Sequence, residues 1–215
     1  MRARLETLMA VAIAGTVAMA QPARLAEGPF VDALVAAALE QTRHAATYDG
    51  SYRAIGYPNG DVPANIGVCT DVIIRAYRVV GLDLQRLVHE DMRAAFSTYP
   101  NLWGLTRPDR NIDHRRVPNL QTFLKRQSAA RPISKNPADY QAGDLVTWML
   151  PGNLPHIGIV SSTRAPSGRL MIVHNIGRGP QLEDVLFAYT MTGHYRYRGA
   201  GGWPGTENRE QRPGN

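Results

Sequence analysis

The sequence has one cysteine among its 215 residues and, after residue 20, no apolar run long enough to span a membrane. A single cysteine excludes an internal disulfide. The chain also lacks a His-Glu-x-x-His pattern, a clustered set of metal ligands and a glycine-rich phosphate loop. These absences argue against a metalloprotease or a nucleotide-binding protein, and neither a metal nor another cofactor is expected.

Residues 1–20 have the pattern of a secretory signal peptide. Arg2 and Arg4 give a positive start, an apolar run follows, and Ala18-Met19-Ala20 is a small-x-small cleavage site. An uncleaved N-terminal anchor is the alternative. The pattern predicts a periplasmic or secreted protein in which residues 21–28 form a tether and residues 199–215 form a disordered, Gly-, Pro- and charge-rich tail.

The formal net charge is +6, and it becomes +5 when residues 1–20 with their two arginines and one glutamate are removed. A basic exported protein suits an anionic partner such as the cell wall, and no nucleic-acid partner is expected. In an oxidising compartment a free thiol is a liability unless it is buried or used. The lone Cys69 is therefore a candidate for chemistry as well as for packing.

Cys69 stands at the start of a predicted helix that Gly81 closes. Apolar residues at 69, 72, 73, 76 and 80 mark a buried face, and we expect Asp71 and Arg75 to form an i, i+4 ion pair. A thiol in the first turn faces the positive end of the helix dipole, which favours the thiolate. The alternative is that Cys69 is a small buried apolar residue.

The chain changes character after residue 131, from helical periodicity to alternating apolar segments with turn signals. The first part predicts helices at 29–44, 69–80, 84–96 and 117–127, and the second predicts strands at 144–149, 156–162, 169–175, 185–189 and 193–197. The pattern favours an α+β domain over residues 29–198, with N-terminal helices packed on a C-terminal antiparallel sheet.

Two long polar segments separate the predicted helices. Residues 45–67 are rich in tyrosine and turn residues, and predict either one wall of a substrate groove or a plain surface loop. Residues 97–116 predict either a solvated, internally ion-paired loop or an arginine-lined subsite for substrate carboxylates.

A thiol nucleophile requires a base within hydrogen-bonding distance and a third group that orients this base. His156 opens a predicted strand and is the candidate base; His174, on the next strand, is the candidate orienting group. Asn175 is less favoured because its side chain points to the opposite face of the strand. Each histidine also has a structural interpretation as a buried, hydrogen-bonded side chain. The remaining histidines are expected to be structural or solvent-facing, with His114 the one most suited to substrate contact: His44, His89, His114 and His194.

Four motifs carry a resemblance: Cys69 at a helix start, Gly143-Asp144-Leu145-Val146-Thr147-Trp148, His156-Ile157-Gly158-Ile159-Val160 and Ile172-Val173-His174-Asn175. Together they resemble the NlpC-type cysteine peptidases, which have a papain-like fold and cleave peptide bonds in peptidoglycan stems. A closer resemblance is carried by Tyr57-Pro58, Val68-Cys69-Thr70-Asp71, the run from Asp109 to Arg116, and His174-Asn175-Ile176-Gly177. These residues resemble the bacterial domain-of-unknown-function family 1287, which is grouped with the same superfamily by fold, and the resemblance covers about residues 30–198. One departure is Val68-Cys69-Thr70-Asp71, where the superfamily usually has Asp-Cys-Ser-Gly.

The resemblance implies that Cys69 is the nucleophile, His156 the base and then the acid, and His174 the polar third member of the triad. It also implies a tyrosine before the cysteine that stabilises the oxyanion, for which Tyr57 is the best match and Tyr52 the second. The weaker candidates for the groove are Tyr57, Tyr52, Asn175, His114 and Arg110.

The expected function is an exported, monomeric cysteine amidohydrolase or endopeptidase that acts on peptidoglycan or another peptide or amide substrate. The alternative is a non-catalytic cell-wall-binding module of the same fold, which has no reason to keep a free thiol. A metallohydrolase that uses His156 and His174 with Asp144 or Asp71 ranks last, because the ligand spacing is wrong.

Overall fold

The computed structural model describes residues 27–199. The predicted signal peptide, most of the predicted tether and the tail after Gly199 lie outside this range. Four α-helices occupy the first half of it: α1 (Glu27–Gln41), α2 (Cys69–Val79), α3 (Leu84–Ala95) and α4 (Val117–Arg126). None of the helices within this range is long and apolar enough to cross a membrane.

The second half forms an antiparallel sheet, so the predicted α+β class with helices before the sheet is confirmed. A short parallel pair, β1 (Thr47–Tyr48) with β2 (Ile66–Gly67), precedes α2. The six-stranded sheet has the order β3-β8-β4-β5-β6-β7. Its strands are β3 (Ala130–Arg131), β4 (Leu145–Leu150), β5 (Leu154–Arg164), β6 (Leu170–Asn175), β7 (Pro180–Glu183) and β8 (Thr190–Tyr195).

The strand predicted at 185–189 is wrong. The apolar residues there do not pair in the sheet but pack against its outer face, where Leu186 is fully buried. The Leu186 carbonyl accepts a hydrogen bond from the Trp148 indole at 3.1 Å. The true edge strand is β7, which pairs with β6 and follows the glycine-rich turn directly. A short apolar run has the same pattern whether it forms a strand or covers one.

The sheet buries both of its faces. Cys69, Ile157, Ile159 and Val173 belong to the core between the helices and the sheet. The alternate positions of the same strands contribute Trp148, Val160 and Ile172 to a second core on the other face. Because side chains alternate along a strand, His156 and His174 share the second face with Trp148. The His156 and Trp148 rings lie 5.9 Å apart, in agreement with this parity.

Gly158 keeps this second face open beside the histidines. A Cβ at this position would lie 2.5 Å from Ile172 Cγ2 and 3.2 Å from His174 Cβ. We expect Gly158→Ala to lower the free energy of unfolding by about 1–3 kcal/mol, because neither neighbour is the free end of a flexible chain. Urea denaturation checks this, with Gly56→Ala as the control, since the nearest atom to its added methyl is 3.8 Å away. Equal denaturation midpoints for the two variants would contradict the steric argument.

Candidate active site

Cys69 is the first residue of α2, as the sequence predicted, and its side chain is almost completely buried. The small exposed part lies in an open groove between the helices and the start of β5. Tyr48, Trp103, Arg116 and Pro155 are among the residues that line this groove. The groove therefore borders the start of the helix that carries Cys69.

Two donors face the Cys69 sulfur: the backbone N–H of Ile157 and the hydroxyl group of Tyr48. The parallel pairing of Tyr48 with Gly67, two residues before the cysteine, positions this hydroxyl. Burial nevertheless raises the pKa of the Cys69 thiol to about 11, and the nearby Asp71 carboxylate raises it further. The backbone N–H groups at the helix start do lower this pKa, as expected, but desolvation of the buried thiol outweighs them. At neutral pH the thiol is protonated.

His156 and His174 form a buried hydrogen-bonded pair. Nε2 of His156 lies 2.8 Å from Nδ1 of His174. Nε2 of His174 in turn lies 2.8 Å from a carboxylate oxygen of Glu183 on β7. The chain of hydrogen bonds therefore has three members, and the last of them was not foreseen from the sequence.

The structure places Cys69 beside the start of β5 but does not join it to His156. Among residues 27–199, no hydrogen bond links the sulfur to the imidazole ring. The thiol instead faces the backbone N–H of Ile157, the residue directly after His156. Burial lowers the pKa of His156 to about 3 and also lowers that of His174. The resting site thus holds a neutral thiol and a neutral imidazole, not an ion pair.

A buried ion pair holds the start of α2 in place. Asp71 accepts two hydrogen bonds from Arg115, at 2.8 and 2.9 Å, and a third from the Val68 N–H at 2.6 Å. Thr70 donates to the Arg115 carbonyl oxygen at 3.0 Å. The predicted ion pair between Asp71 and Arg75 is therefore wrong, because the Asp71 side chain turns inward and the neighbouring polar segment supplies its partner.

Arg115 ties a third segment to this pair, since its Nη2 donates to the Asp49 carbonyl oxygen at 3.2 Å. The polar segment 97–116 is thus neither a solvated loop nor a free arginine-lined subsite at this point. Arg116 stacks on the Trp103 ring at 3.9 Å and pairs with the buried Asp113, which leaves it at the border of the groove.

The two tyrosines expected near the oxyanion lie elsewhere in the structure. The Tyr57 ring packs against His89 at 5.2 Å, and the Arg110 guanidinium lies over the same ring at 5.7 Å. The Tyr52 hydroxyl accepts a hydrogen bond from Asn111 at 2.8 Å. Neither of these tyrosines nor Arg110 lines the groove beside Cys69, whereas Tyr48 does. Tyr48 was missed because it lies in a two-residue strand without a sequence signal.

Asn175 and His114 are both buried within the fold rather than exposed in the groove. Asn175 donates to the Gly67 carbonyl oxygen at 3.3 Å, which ties the end of β6 to the start of α2. His114 is buried rather than solvent-facing, and burial lowers its pKa to about 3. The prediction that His114 contacts substrate has no support in this position. His194 fits its structural interpretation, because its Nε2 lies 2.8 Å from Asp144.

The residues considered for a metallohydrolase are used otherwise. Asp144 bonds to His194 and Arg196, and Asp71 bonds to Arg115, so neither carboxylate joins the two histidines of the site. Within residues 27–199, no group of three or more histidine, cysteine or acidic side chains could hold a metal ion.

Acid is expected to destabilise this fold because His114 and His156 are buried and neutral. Both have a folded-state pKa of about 3, against 6.5 ordinarily. Between about pH 6.5 and 3 the unfolded chain binds protons that the folded chain excludes, so the free energy of unfolding falls as the pH falls. At pH 5 the loss is about 2 kcal/mol for each histidine.

Urea denaturation at pH 7.5 and pH 5 measures this loss. His114→Gln should reduce the difference between the two pH values, whatever its effect at either pH alone. His44→Gln is the control, since His44 is exposed. An unchanged pH dependence in His114→Gln would contradict the assignment.

Comparison with known proteins connects this site to a family. Residues 35–197 match the family described as "Domain of unknown function (DUF1287)". The chain belongs to this family. It is also 58% identical, over 150 residues, to the "Uncharacterized protein YijF" of Escherichia coli (strain K12). The matched residues make up 70% of this chain and 73% of that protein. The family match includes Cys69, His156, His174 and Glu183, so the whole site lies within the DUF1287 domain.

Proposed function

We propose that this protein is an exported cysteine hydrolase, periplasmic or secreted, that cleaves amide bonds in peptidoglycan stem peptides. One observation carries the proposal: a hydrogen-bonded chain of one carboxylate and two buried histidines ends at His156, and the next residue, Ile157, lies beside the Cys69 thiol. A papain-like, NlpC-type arrangement is part of the proposal, with the nucleophile on a helix and the base on the following sheet. The signal-like residues 1–20 and the basic net charge support an anionic wall substrate.

In this mechanism His156 is the base for Cys69. Its Nε2 is occupied by His174, so Nδ1 is the nitrogen that receives the thiol proton. The sulfur then forms a bond to the amide carbonyl carbon, and His156 returns the proton to the leaving amine. Water, deprotonated by His156, hydrolyses the resulting thioester and frees Cys69.

Proton transfer is coupled to attack on the carbonyl. The thiol pKa of about 11 and the imidazole pKa of about 3 make a free thiolate–imidazolium pair unfavourable in the resting site. When the sulfur bonds to carbon as it loses its proton, the negative charge passes to the carbonyl oxygen instead. Alternation along β5 places the His156 side chain on the opposite face of the sheet from the core that contains Cys69. The proposed mechanism therefore requires substrate binding to bring the sulfur and Nδ1 of His156 together.

Tyr48 is the side chain best placed to stabilise that oxygen. Its hydroxyl lies beside the sulfur, and burial raises its pKa to about 12, so it stays protonated at neutral pH. The backbone N–H of Cys69 is the second proposed donor. Tyr48 thereby takes the role that the family resemblance implied for Tyr57 or Tyr52.

A non-catalytic wall-binding module is the second candidate. The observation in its favour is that the resting Cys69 and His156 are neutral and are not hydrogen-bonded to each other. The exposed aromatic and apolar surface at the groove, with Trp103 and Leu102, would suit binding as well as cleavage.

Digestion of purified peptidoglycan separates the two candidates. Residues 21–215 are incubated with intact sacculi as wild type and as Cys69→Ala, and soluble fragments are identified by mass spectrometry. We expect fragments from the wild type alone, with masses that identify the cleaved amide. If neither protein releases fragments but both sediment with the sacculi, the binding module replaces the enzyme. If neither cleaves nor binds, peptidoglycan is not the substrate.

A further inference from the structure

Glu183 extends the histidine pair on the side away from Cys69. It lies on β7 opposite Ile172, and its carboxylate oxygen is 2.8 Å from Nε2 of His174. The His174 side chain is fully buried, whereas that of Glu183 is 44% exposed. A carboxylate at the surface therefore contacts a histidine that solvent does not reach.

The carboxylate determines where the histidine protons lie. An ionised carboxylate can only accept hydrogen bonds, so Nε2 of His174 must carry its proton. His174 is neutral, because burial lowers its pKa, and its Nδ1 is then an acceptor. Across the 2.8 Å contact Nε2 of His156 must be the donor. Since His156 is neutral too, its Nδ1 has a free lone pair.

The opposite arrangement would disable the site. If His174 carried its proton on Nδ1, it would donate to Nε2 of His156. The neutral His156 would then carry its own proton on Nδ1, where no proton could be accepted from a thiol. The pair has these two neutral arrangements, and a group at either outer nitrogen, Nε2 of His174 or Nδ1 of His156, distinguishes them. Among residues 27–199, Glu183 is the one that is hydrogen-bonded at such a position.

We propose that Glu183 is a positioning residue that selects the arrangement in which Nδ1 of His156 is unprotonated. The consequence for catalysis rests on the proposed function, but the proton positions do not. Among residues 27–199, the hydrogen-bond partner of the Glu183 carboxylate is His174, and Glu183 is proposed to act through this residue.

Nitrogen-15 NMR of histidine-labelled protein tests this directly, because protonated and unprotonated ring nitrogens have well-separated chemical shifts. The resonances of His156 and His174 are assigned by single replacement with Gln at neutral pH. In the wild type we expect both rings to be protonated at Nε2. A proton on Nδ1 of His156 would overturn the proposal.

Charge reversal gives the sharper test. Glu183→Lys replaces an acceptor with a side chain that only donates, so we expect both rings to change to the Nδ1-protonated form. Asp32→Lys is the control, an equal charge change at an exposed position on α1. Rings that stay protonated at Nε2 in Glu183→Lys would overturn the proposal. Glu183→Ala, with no partner for His174, should give a mixture of both forms.

Activity is measured separately on the same proteins. We expect Glu183→Lys to lower kcat about 100-fold or more with little change in KM, since a wrong tautomer in a direct partner costs about 10,000-fold in a serine protease. If the rings invert as expected but wild-type protein cleaves no wall, the proposed function fails and the role of Glu183 stands. If wild-type protein cleaves and Glu183→Lys retains full activity, the role of Glu183 fails and the function stands.

Discussion

Replacing Cys69 with Ala is expected to lower the rate of amide cleavage at least about 1,000-fold, and adding His156→Ala is expected to change the residual rate very little. In the proposed mechanism Cys69 and His156 act as a unit, so removing either one removes most of the rate that both would provide. Alone, His156→Ala should cost about 100- to 10,000-fold, the usual contribution of a general base. The measurement is the initial rate of fragment release from sacculi by the two single variants and the double variant.

His44→Ala serves as the control for these rates. His44 is exposed on the chain after α1 and pairs with Glu40 outside the site. Its replacement should leave the rate unchanged. Strictly additive losses for Cys69→Ala and His156→Ala would contradict a joint role, and would place His156 in the structure of the sheet rather than in the reaction.

Arg115→Ala is expected to lower the free energy of unfolding by about 3–5 kcal/mol. The substitution leaves the Asp71 carboxylate buried without its cation, and an unpaired buried charge costs far more than an ion pair contributes. Both side chains of the pair are almost fully buried, at 2% and 3% exposure. Urea denaturation at pH 7.5 measures the loss.

Arg53→Ala is the matched control, because Arg53 also pairs with an aspartate, but its side chain is 43% exposed. An exposed pair contributes at most about 1 kcal/mol. Equal midpoints for Arg115→Ala and Arg53→Ala would show that the Asp71 ion pair is not what holds the start of α2. Arg115→Lys should lie between wild type and Arg115→Ala, since lysine keeps the charge but not the paired hydrogen bonds.

The sequence predicted the elements whose signals are local. The helix that begins at Cys69 was predicted from the spacing of its apolar residues and from the glycine at 81. In the structure this helix ends at Val79. The strands that carry His156 and His174 follow from apolar alternation between turns. Strands of two residues, such as β1 and β3, contain too few residues for any period.

The site was predictable only in part, for the same reason. Cys69, His156 and His174 could be selected because their order and elements match known motifs. Tyr48, Glu183 and Arg115 reach the site because distant segments of the chain pair with one another. A local sequence pattern does not show which distant residues will be paired. The thiol pKa was predicted in the wrong direction because a helix start is visible in a sequence, whereas the depth of burial that opposes it is not.

The central claim is that Cys69 forms a covalent bond with the substrate, and intact-protein mass spectrometry tests it most directly. Residues 21–215 are mixed with soluble peptidoglycan fragments and quenched in acid during turnover. We expect a mass increase equal to the acyl part of the substrate, located on the peptide that contains Cys69 and removed by neutral hydroxylamine, as a thioester requires. Fragment cleavage that proceeds at the wild-type rate in Cys69→Ala, with no adduct on the wild-type protein, would contradict the claim.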